Sequence, residues 1–298
     1  MIVPANAHID LQLHTVYSDG HWQPQELMDY LAAHLFRVAA VTDHDTLAHI
    51  EELRAIGAAR GVHIIAATEI TTSWHERPAH LLCYAQRFVG TALADVARTI
   101  EQGQRANTRA VYDELVRQGH TFPRAKQTLA EQGSRRSVAS SDAEAHSDGQ
   151  VTRPIDNARL LVEHGYIADI RHAMTRIREA GYMQVTAPLA EAVAAAHASG
   201  GVAVLAHPGR GGGEIQRYDP DLIEAVLAEV PLDGIEVYYP MHTAAQVAAY
   251  EALTRKRGLL VSAGSDSHGP RQRYPIPYEA RQCTALLARC GVEIHAEP

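Results

Sequence analysis

Short apolar runs of strand character alternate along the chain with amphipathic stretches. Ile9-Asp10-Leu11-Gln12-Leu13-His14 alternates strictly, which places Asp10, Gln12 and His14 on one face of a strand. Residues 39–42, 62–67, 80–84, 201–206, 234–238 and 259–264 read as buried strands. Between them the spacing predicts helices over 24–35, 47–60, 189–199, 220–229 and 243–257. Repeated strand–helix units argue for a parallel sheet. Seven such strands favour closure into a distorted seven-stranded (β/α) barrel, so the fold class is α/β.

The middle of the chain breaks this rhythm. Residues 92–118 read as one long helix, 127–151 are rich in Ser, Ala, Asp and Gly and read as a loop, and 154–180 return to helix. The expected organisation is a barrel formed by 1–91 and 182–298, with 92–181 as a helical insertion subdomain capping the C-terminal ends of the strands. No internal repeat is present.

Composition narrows the class. The chain has 298 residues, 46% hydrophobic and 21% charged, enough for a full-sized core. A formal charge of -8 argues against coating duplex DNA by bulk electrostatics. Cys83, Cys283 and Cys290 make an odd, widely spaced set, so no disulfide framework is expected and a reduced, cytoplasmic compartment fits. The first six residues lack the basic and apolar pattern of a signal peptide, and no apolar run approaches the ~20 residues of a membrane helix.

The chemistry-bearing residues gather where strands end. Gln12-Leu13-His14 is followed by Ser18-Asp19-Gly20. The later strands lead to Thr42-Asp43-His44-Asp45, Thr68-Glu69, Ala206-His207-Pro208-Gly209 and Gly264-Ser265-Asp266-Ser267-His268, while His80 opens the fourth. Barrel active sites form at such ends because the following loops converge on the axis. Imidazoles and carboxylates are the ligand set for Zn, Mn or Fe, and Glu69 could bridge two ions. A hydroxide held between ions is a strong nucleophile at neutral pH, and the same ions neutralise charge on a phosphoryl group. Asp10 reads as a supporting or core residue one layer deeper. Of Asp43 and Asp45, one is expected to orient an imidazole and the other to cap the following helix.

Together these motifs resemble the PHP (polymerase and histidinol phosphatase) family. More narrowly they resemble its bacterial phosphoesterases, which include the 3',5'-nucleotide bisphosphate phosphatase and the 5'-to-3' exoribonuclease of short RNA. The resemblance covers roughly residues 8–90 and 185–270. It implies a distorted seven-stranded barrel with two or three divalent ions. His14, Glu69 and Asp266 would hold one ion, Glu69, His80 and His207 a second, and Asp19, His44 and His268 a third. Glu69, His207 and Asp266 would then be the central catalytic groups. One position departs from the pattern: Gln12 stands where the family has a histidine. An amide is a poor ligand for zinc or iron, though its oxygen suits a harder ion.

Arg153, before a predicted helix, and Arg210, after His207-Pro208-Gly209, are candidate phosphate contacts. Gly211-Gly212-Gly213 is not a P-loop, because no Lys-Ser/Thr follows. The leading expectation is metal-dependent hydrolysis, by a metal-bound hydroxide, of a phosphate ester in a small metabolite or nucleotide. A 3',5'-bisphosphonucleotide or short 5'-phosphorylated RNA is the foremost candidate. The alternative is a weakly active or inactive barrel that binds metal or a phosphorylated ligand, motivated by Gln12. An amidohydrolase reaction on a C–N bond is a third.

Overall fold

A computed structural model of the chain describes residues 1–136, 149–211 and 217–295, with side chains described outside 131–136. The strands are β1 (Ile2–Pro4), β2 (His8–Leu13), β3 (Phe36–Val41), β4 (His63–Trp74), β5 (Arg77–Ala85), β6 (Ala187–Pro188), β7 (Val202–Leu205), β8 (Gly234–Tyr238), β9 (Leu260–Ala263), β10 (Tyr278–Glu279) and β11 (Glu293–His295). The helices are α1 (Pro24–Ala33), α2 (Ile50–Ala58), α3 (Ala92–Arg117), α4 (Ala125–Arg136), α5 (Pro154–Glu163), α6 (Ile170–Glu179), α7 (Leu189–Ala198), α8 (Pro220–Glu229), α9 (Ala244–Arg257) and α10 (Thr284–Arg289). Among the described residues, no helix is long and apolar enough to cross a membrane.

Two compact units result, one from Met1–Arg98 with Thr186–Pro298 and one from Thr99–Val185. The second unit is helical and has its own core, in which Val111, Leu115 and Leu129 pack with Leu160, Leu161 and Ile177. Part of the segment read as a loop is helix α4, which reaches Arg136. Residues 137–148 of that segment, like Gly212 and Gly213, lie outside the described residues. The helical stretch 154–180 divides into α5 and α6.

The first unit carries the main sheet, in the order β10-β2-β3-β4-β5-β7-β8-β9 with β6 paired to β4. Among the described residues it has nine strands, two of them the two-residue β6 and β10, where the sequence suggested seven. Beyond β9 the chain continues alongside the end of β2: His14 N donates to Ser267 O at 3.0 Å and Asp266 N to Gln12 O at 2.9 Å. These bonds bring the two ends of the sheet together, so it is nearly closed.

The sheet is not parallel throughout. β5 runs antiparallel to both β4 and β7, and β10 antiparallel to β2. The cause is a tight hairpin at His75-Glu76, both with positive φ (46° and 63°), the backbone of a primed two-residue turn. Such turns usually advertise themselves with Asn-Gly, and this one does not. As a result β4 runs on through Thr68 and Glu69 to Trp74, and His80 lies inside β5 opposite Thr71.

Local sequence explains the helix ends that matter. Asp219 caps α8 by accepting from Leu222 N at 2.9 Å, ahead of Pro220. Thr243 and Gln246 form a reciprocal capping box on α9, which ends at left-handed Gly258. The interior of the sheet is filled by Ile9, Leu11, Val38, Ala40, Ile65, Ala67, Leu82, Tyr84, Val202 and Val204. Leu13, Ala39, Val41 and Ile64 pack outward against Leu27, Met28, Leu31 and Leu53 of α1 and α2.

β2 does not alternate strictly. Asp10 pairs with Ala39 and Leu13 with Val41, so three steps on β2 face two on β3, a bulge of one residue. The bulge lets Leu11 stay in the core while Gln12 also reaches the interior. Asp10 is fully buried, and its carboxylate accepts from Gln12 N, Ser265 N and Ile276 N. It fastens β2 to the segment that closes the sheet. Asp10→Ala is therefore expected to cost about 3 kcal/mol, because three backbone N–H groups, those of Gln12 and Ser265 in buried bonds and that of Ile276 in a part-buried one, lose their acceptor. Urea unfolding of the variant checks this, and an unchanged midpoint would refute the fastening role.

Candidate metal centre

Glu69 is the hub of the site. It is fully buried in the middle of β4, and its two oxygens face different partners. Oε1 lies 2.8 Å from His80 Nδ1 and 3.1 Å from His207 Nε2. Oε2 lies 3.0 Å from His14 Nε2 and 3.1 Å from Gln12 Nε2. Burial opposes its charge, but His44, His80, His14 and His207 together hold the carboxyl well below the usual range. Glu69 is thus an ionised carboxylate with His80 and His207 at one oxygen and His14 and Gln12 at the other.

Around it the predicted residues converge. His14 Nε2 is also 3.3 Å from Asp266 Oδ1. His268 Nε2 contacts Asp19 Oδ2 at 3.1 Å, and the His14 and His268 rings stack with centroids 4.2 Å apart. His44 Nε2 stands 3.9 Å from both Asp19 Oδ2 and Glu69 Oε2. Among the described residues, three groups of ligand atoms lie close enough to share an ion: His14, Glu69 and Asp266; His44, Glu69 and His80; and His14, Asp19, His44 and His268. The first has the membership expected from the sequence. In the second His44 takes the place expected for His207, although His207 touches the same Glu69 oxygen. The third gains His14. Asp19, with its side chain 55% exposed, marks the mouth of the site.

Several atoms here await a partner. His14 Nδ1 and Nε2, His44 Nδ1 and Gln12 Oε1 are buried without an aligned hydrogen bond. Burial pushes the His44 imidazole down to about 4, against the pull of Glu69 and Asp19, so it is neutral and free to ligate. Burial also opposes a proton on His14, but Asp266 and Glu69 outweigh it and raise its pKa well above the ordinary value. A divalent cation between these carboxylates would do the work of that proton. The donor set therefore fits divalent metal ions.

Strain is concentrated in the same place. Asp45, His207 and Asp266 adopt left-handed backbone (φ 51°, 29° and 55°), a conformation costing non-glycine residues about 1–3 kcal/mol. Each is pinned through its N–H. Asp45 donates to Glu69 O at 2.9 Å, Asp266 to Gln12 O at 2.9 Å, and His207 to Glu236 Oε2 at 2.8 Å.

Glu236 is a site residue that the sequence does not flag, since one Glu inside an apolar strand has no spacing signal. It is fully buried in β8, and burial lifts its carboxyl well above the usual range even though His207 N donates to it. Tyr239 is a second. Its hydroxyl donates to Asp266 Oδ2 at 3.2 Å, beside Arg210 Nη1 at 3.2 Å. Together they leave Asp266 Oδ1 turned to His14.

Asp43 and Asp45 do not have the expected roles. Asp43 accepts from Thr15 N, Thr15 Oγ1 and Ser18 Oγ, fastening the turn that carries Asp19. Asp45 accepts from Thr71 N and Oγ1. α2 starts behind His49 with no side-chain cap. Arg153 belongs to the second unit, where its backbone N–H donates to Asp156 Oδ2.

The PHP domain matches residues 10–184, and the chain belongs to the PHP family of metal-dependent phosphoesterases. Among curated relatives, the 3',5'-nucleoside bisphosphate phosphatase of Chromobacterium violaceum is 29% identical over 282 residues, 89% of this chain and 88% of the relative. The phosphoribosyl 1,2-cyclic phosphate 1,2-diphosphodiesterase of Eggerthella lenta is 28% identical, covering 89% of this chain and 96% of its own length. The 5'-3' exoribonuclease Rnm of Escherichia coli is 29% identical over 88% of this chain and 85% of the relative. A solved structure from Chromobacterium violaceum, described as an amidohydrolase with bound SO4 and no metal, superposes with a TM-score of 0.67 at 27% identity, covering 92% of each chain. A Bifidobacterium adolescentis structure shares the fold at a TM-score of 0.73 and 20% identity, over 96% of this chain and 98% of its own.

Proposed function

We propose that the chain is a cytoplasmic hydrolase of phosphate esters in small phosphorylated metabolites or nucleotides. The foremost candidate substrates are 3',5'-bisphosphonucleotides and short 5'-phosphorylated RNA. The observation that carries the reading is the convergence of His14, Asp19, His44, His80, His207, Asp266 and His268 around the ionised Glu69, with Arg210 at the edge. Two or three divalent ions, Mn, Zn or Fe, would supply Lewis acidity there, activating water and neutralising charge on the phosphoryl oxygens. Glu69 divides its oxygens between ligand groups and fixes their separation. Tyr239 and Arg210 hold one oxygen of Asp266. Arg210, 29% exposed in its side chain, has the reach and fork geometry to exchange that carboxylate for a substrate phosphate. The relatives' names support the substrate class.

A C–N bond hydrolase is the second reading, favoured by the description of the Chromobacterium violaceum structure. A phosphate-release screen of the Mn-loaded chain over nucleotides, bisphosphates, short 5'-phosphorylated oligoribonucleotides and sugar phosphates tests both, alongside an amide panel. Release from at least one phosphoester, lost on chelation and restored by Mn, is expected. Turnover of amides alone would establish the second reading, and no turnover by metal-loaded protein would leave a binding barrel.

A further inference from the structure

We propose that the amide oxygen of Gln12 is an ion ligand of the His14–Glu69–Asp266 subsite, and that it makes this subsite select a hard six-coordinate ion, Mn2+ or Mg2+, over Zn2+. The inference rests on the reading of the cluster as a metal centre. Gln12 is fully buried, and its Cβ packs against Gly264, where an added Cβ would meet it at 2.4 Å. Its Nε2 donates to Glu69 Oε2 at 3.1 Å, and its Oε1 has no partner among the described residues.

Neither orientation of this amide suits an ion-free pocket. As it stands, a buried carbonyl oxygen is orphaned, at a cost of about 1–3 kcal/mol. Turned over, the oxygen would take the place of Nε2 beside Glu69 Oε2, and two acceptors would face each other. A cation between the two oxygens removes both faults.

The spacing agrees. His14 Nε2 and Glu69 Oε2 are 3.0 Å apart, His14 Nε2 and Asp266 Oδ1 3.3 Å, and Gln12 Nε2, whose place Oε1 takes when the amide is turned over, stands 3.1 Å from Glu69 Oε2. Neighbouring ligands of an octahedral ion with bonds of about 2.1 Å stand about 3.0 Å apart. Around a tetrahedral ion with bonds of about 2.0 Å they stand about 3.3 Å apart. The observed spacings span both lengths, so they admit an ion of either geometry, and the donor set decides between them. With Gln12 it offers three oxygens to one imidazole, whereas zinc is served by sets richer in nitrogen or sulfur. His80 and His207 contact the other oxygen of Glu69 and leave this group with a single imidazole.

Calorimetric titration of the metal-stripped full chain with Mn2+ and, separately, Zn2+ tests the assignment, with circular dichroism to verify folding. Gln12→Ala is expected to weaken one Mn2+ site by about tenfold or more while Zn2+ affinity stays within about twofold. Gln12→His is expected to reverse the preference and strengthen Zn2+ binding by about tenfold. Because the histidine variant refills the pocket, it decides the matter even if the alanine variant does not fold. Unchanged Mn2+ affinity in folded Gln12→Ala, equal losses for both ions, or an unaltered preference in Gln12→His would overturn the proposal. Wild-type chain that binds neither ion would overturn the metal-centre reading along with it.

Discussion

With Glu69 replaced by Gln, the chain is expected to lose about 10³-fold or more in kcat/KM for its phosphoester while keeping its fold. The carboxylate presents one oxygen to His80 and His207 and the other to His14 and Gln12. An amide retains a single acceptor, and its NH2 would be turned on the group that needs an oxygen. The variant also removes the one negative charge shared by both sides of the cluster. An ion contributes several kcal/mol to stabilising the transition state. At 1.36 kcal/mol per tenfold, loss of one ion that Glu69 would hold gives the stated factor. The fold should survive because β4 is held by backbone ladders to β3 and β5, which the substitution leaves intact. Steady-state kinetics with metal content measured on the same sample checks this. Full activity in Glu69→Gln would show that the bridge is not needed.

Gly20→Ala is the second large effect, and it acts through backbone. A Cβ at Gly20 would stand 2.5 Å from both the carbonyl carbon and oxygen of His14 and 2.7 Å from Thr15 N. No side chain can move aside there, so the end of β2 must shift, and His14 with it. Overpacking of this kind costs about 1–3 kcal/mol, and contact with main chain places it at the upper end. His14 Nε2 would leave its positions beside Glu69 and Asp266, so ion binding should weaken in parallel. Thermal unfolding with and without Mn2+ separates the parts: a lower melting point without metal, and a smaller rise on adding it. A melting point equal to wild type in both conditions would refute the argument.

Much of this architecture can be read from apolar periodicity, because buried strands and capped helices leave local signals. The start of α8 follows from Asp219-Pro220, and all seven apolar runs lie on strands of the main sheet. What escapes the sequence depends on geometry without a local signature. The reversal at His75-Glu76 uses φ values that neither residue advertises, so β5 reads as one more parallel strand. The bulge in β2 is invisible because Leu11, Gln12 and Leu13 still look like alternation. The cluster was legible because His14, His44, His207 and Asp266 follow the ends of apolar runs, while Glu69 and His80 stand inside longer strands than the sequence suggests. Glu236 and Tyr239 were not, since each acts through one hydrogen bond across the sheet. The role of Arg210 is also finer than its sequence suggests, for it sits on Asp266 rather than waiting free.

His14 and His44 each belong to two of the three ligand groups found among the described residues. A neutral imidazole has one lone pair to give, so an ion that captures it through one ring nitrogen leaves the other nitrogen protonated and closed to a second ion. Glu69 carries no such restriction, since each of its oxygens can serve a different neighbour. Ions loading this cluster would therefore compete for these rings rather than bind independently. An ion that took His14 or His44 would lower the affinity of the adjoining group, and the coupling would be reciprocal. The response to metal supply would then be graded by two shared rings.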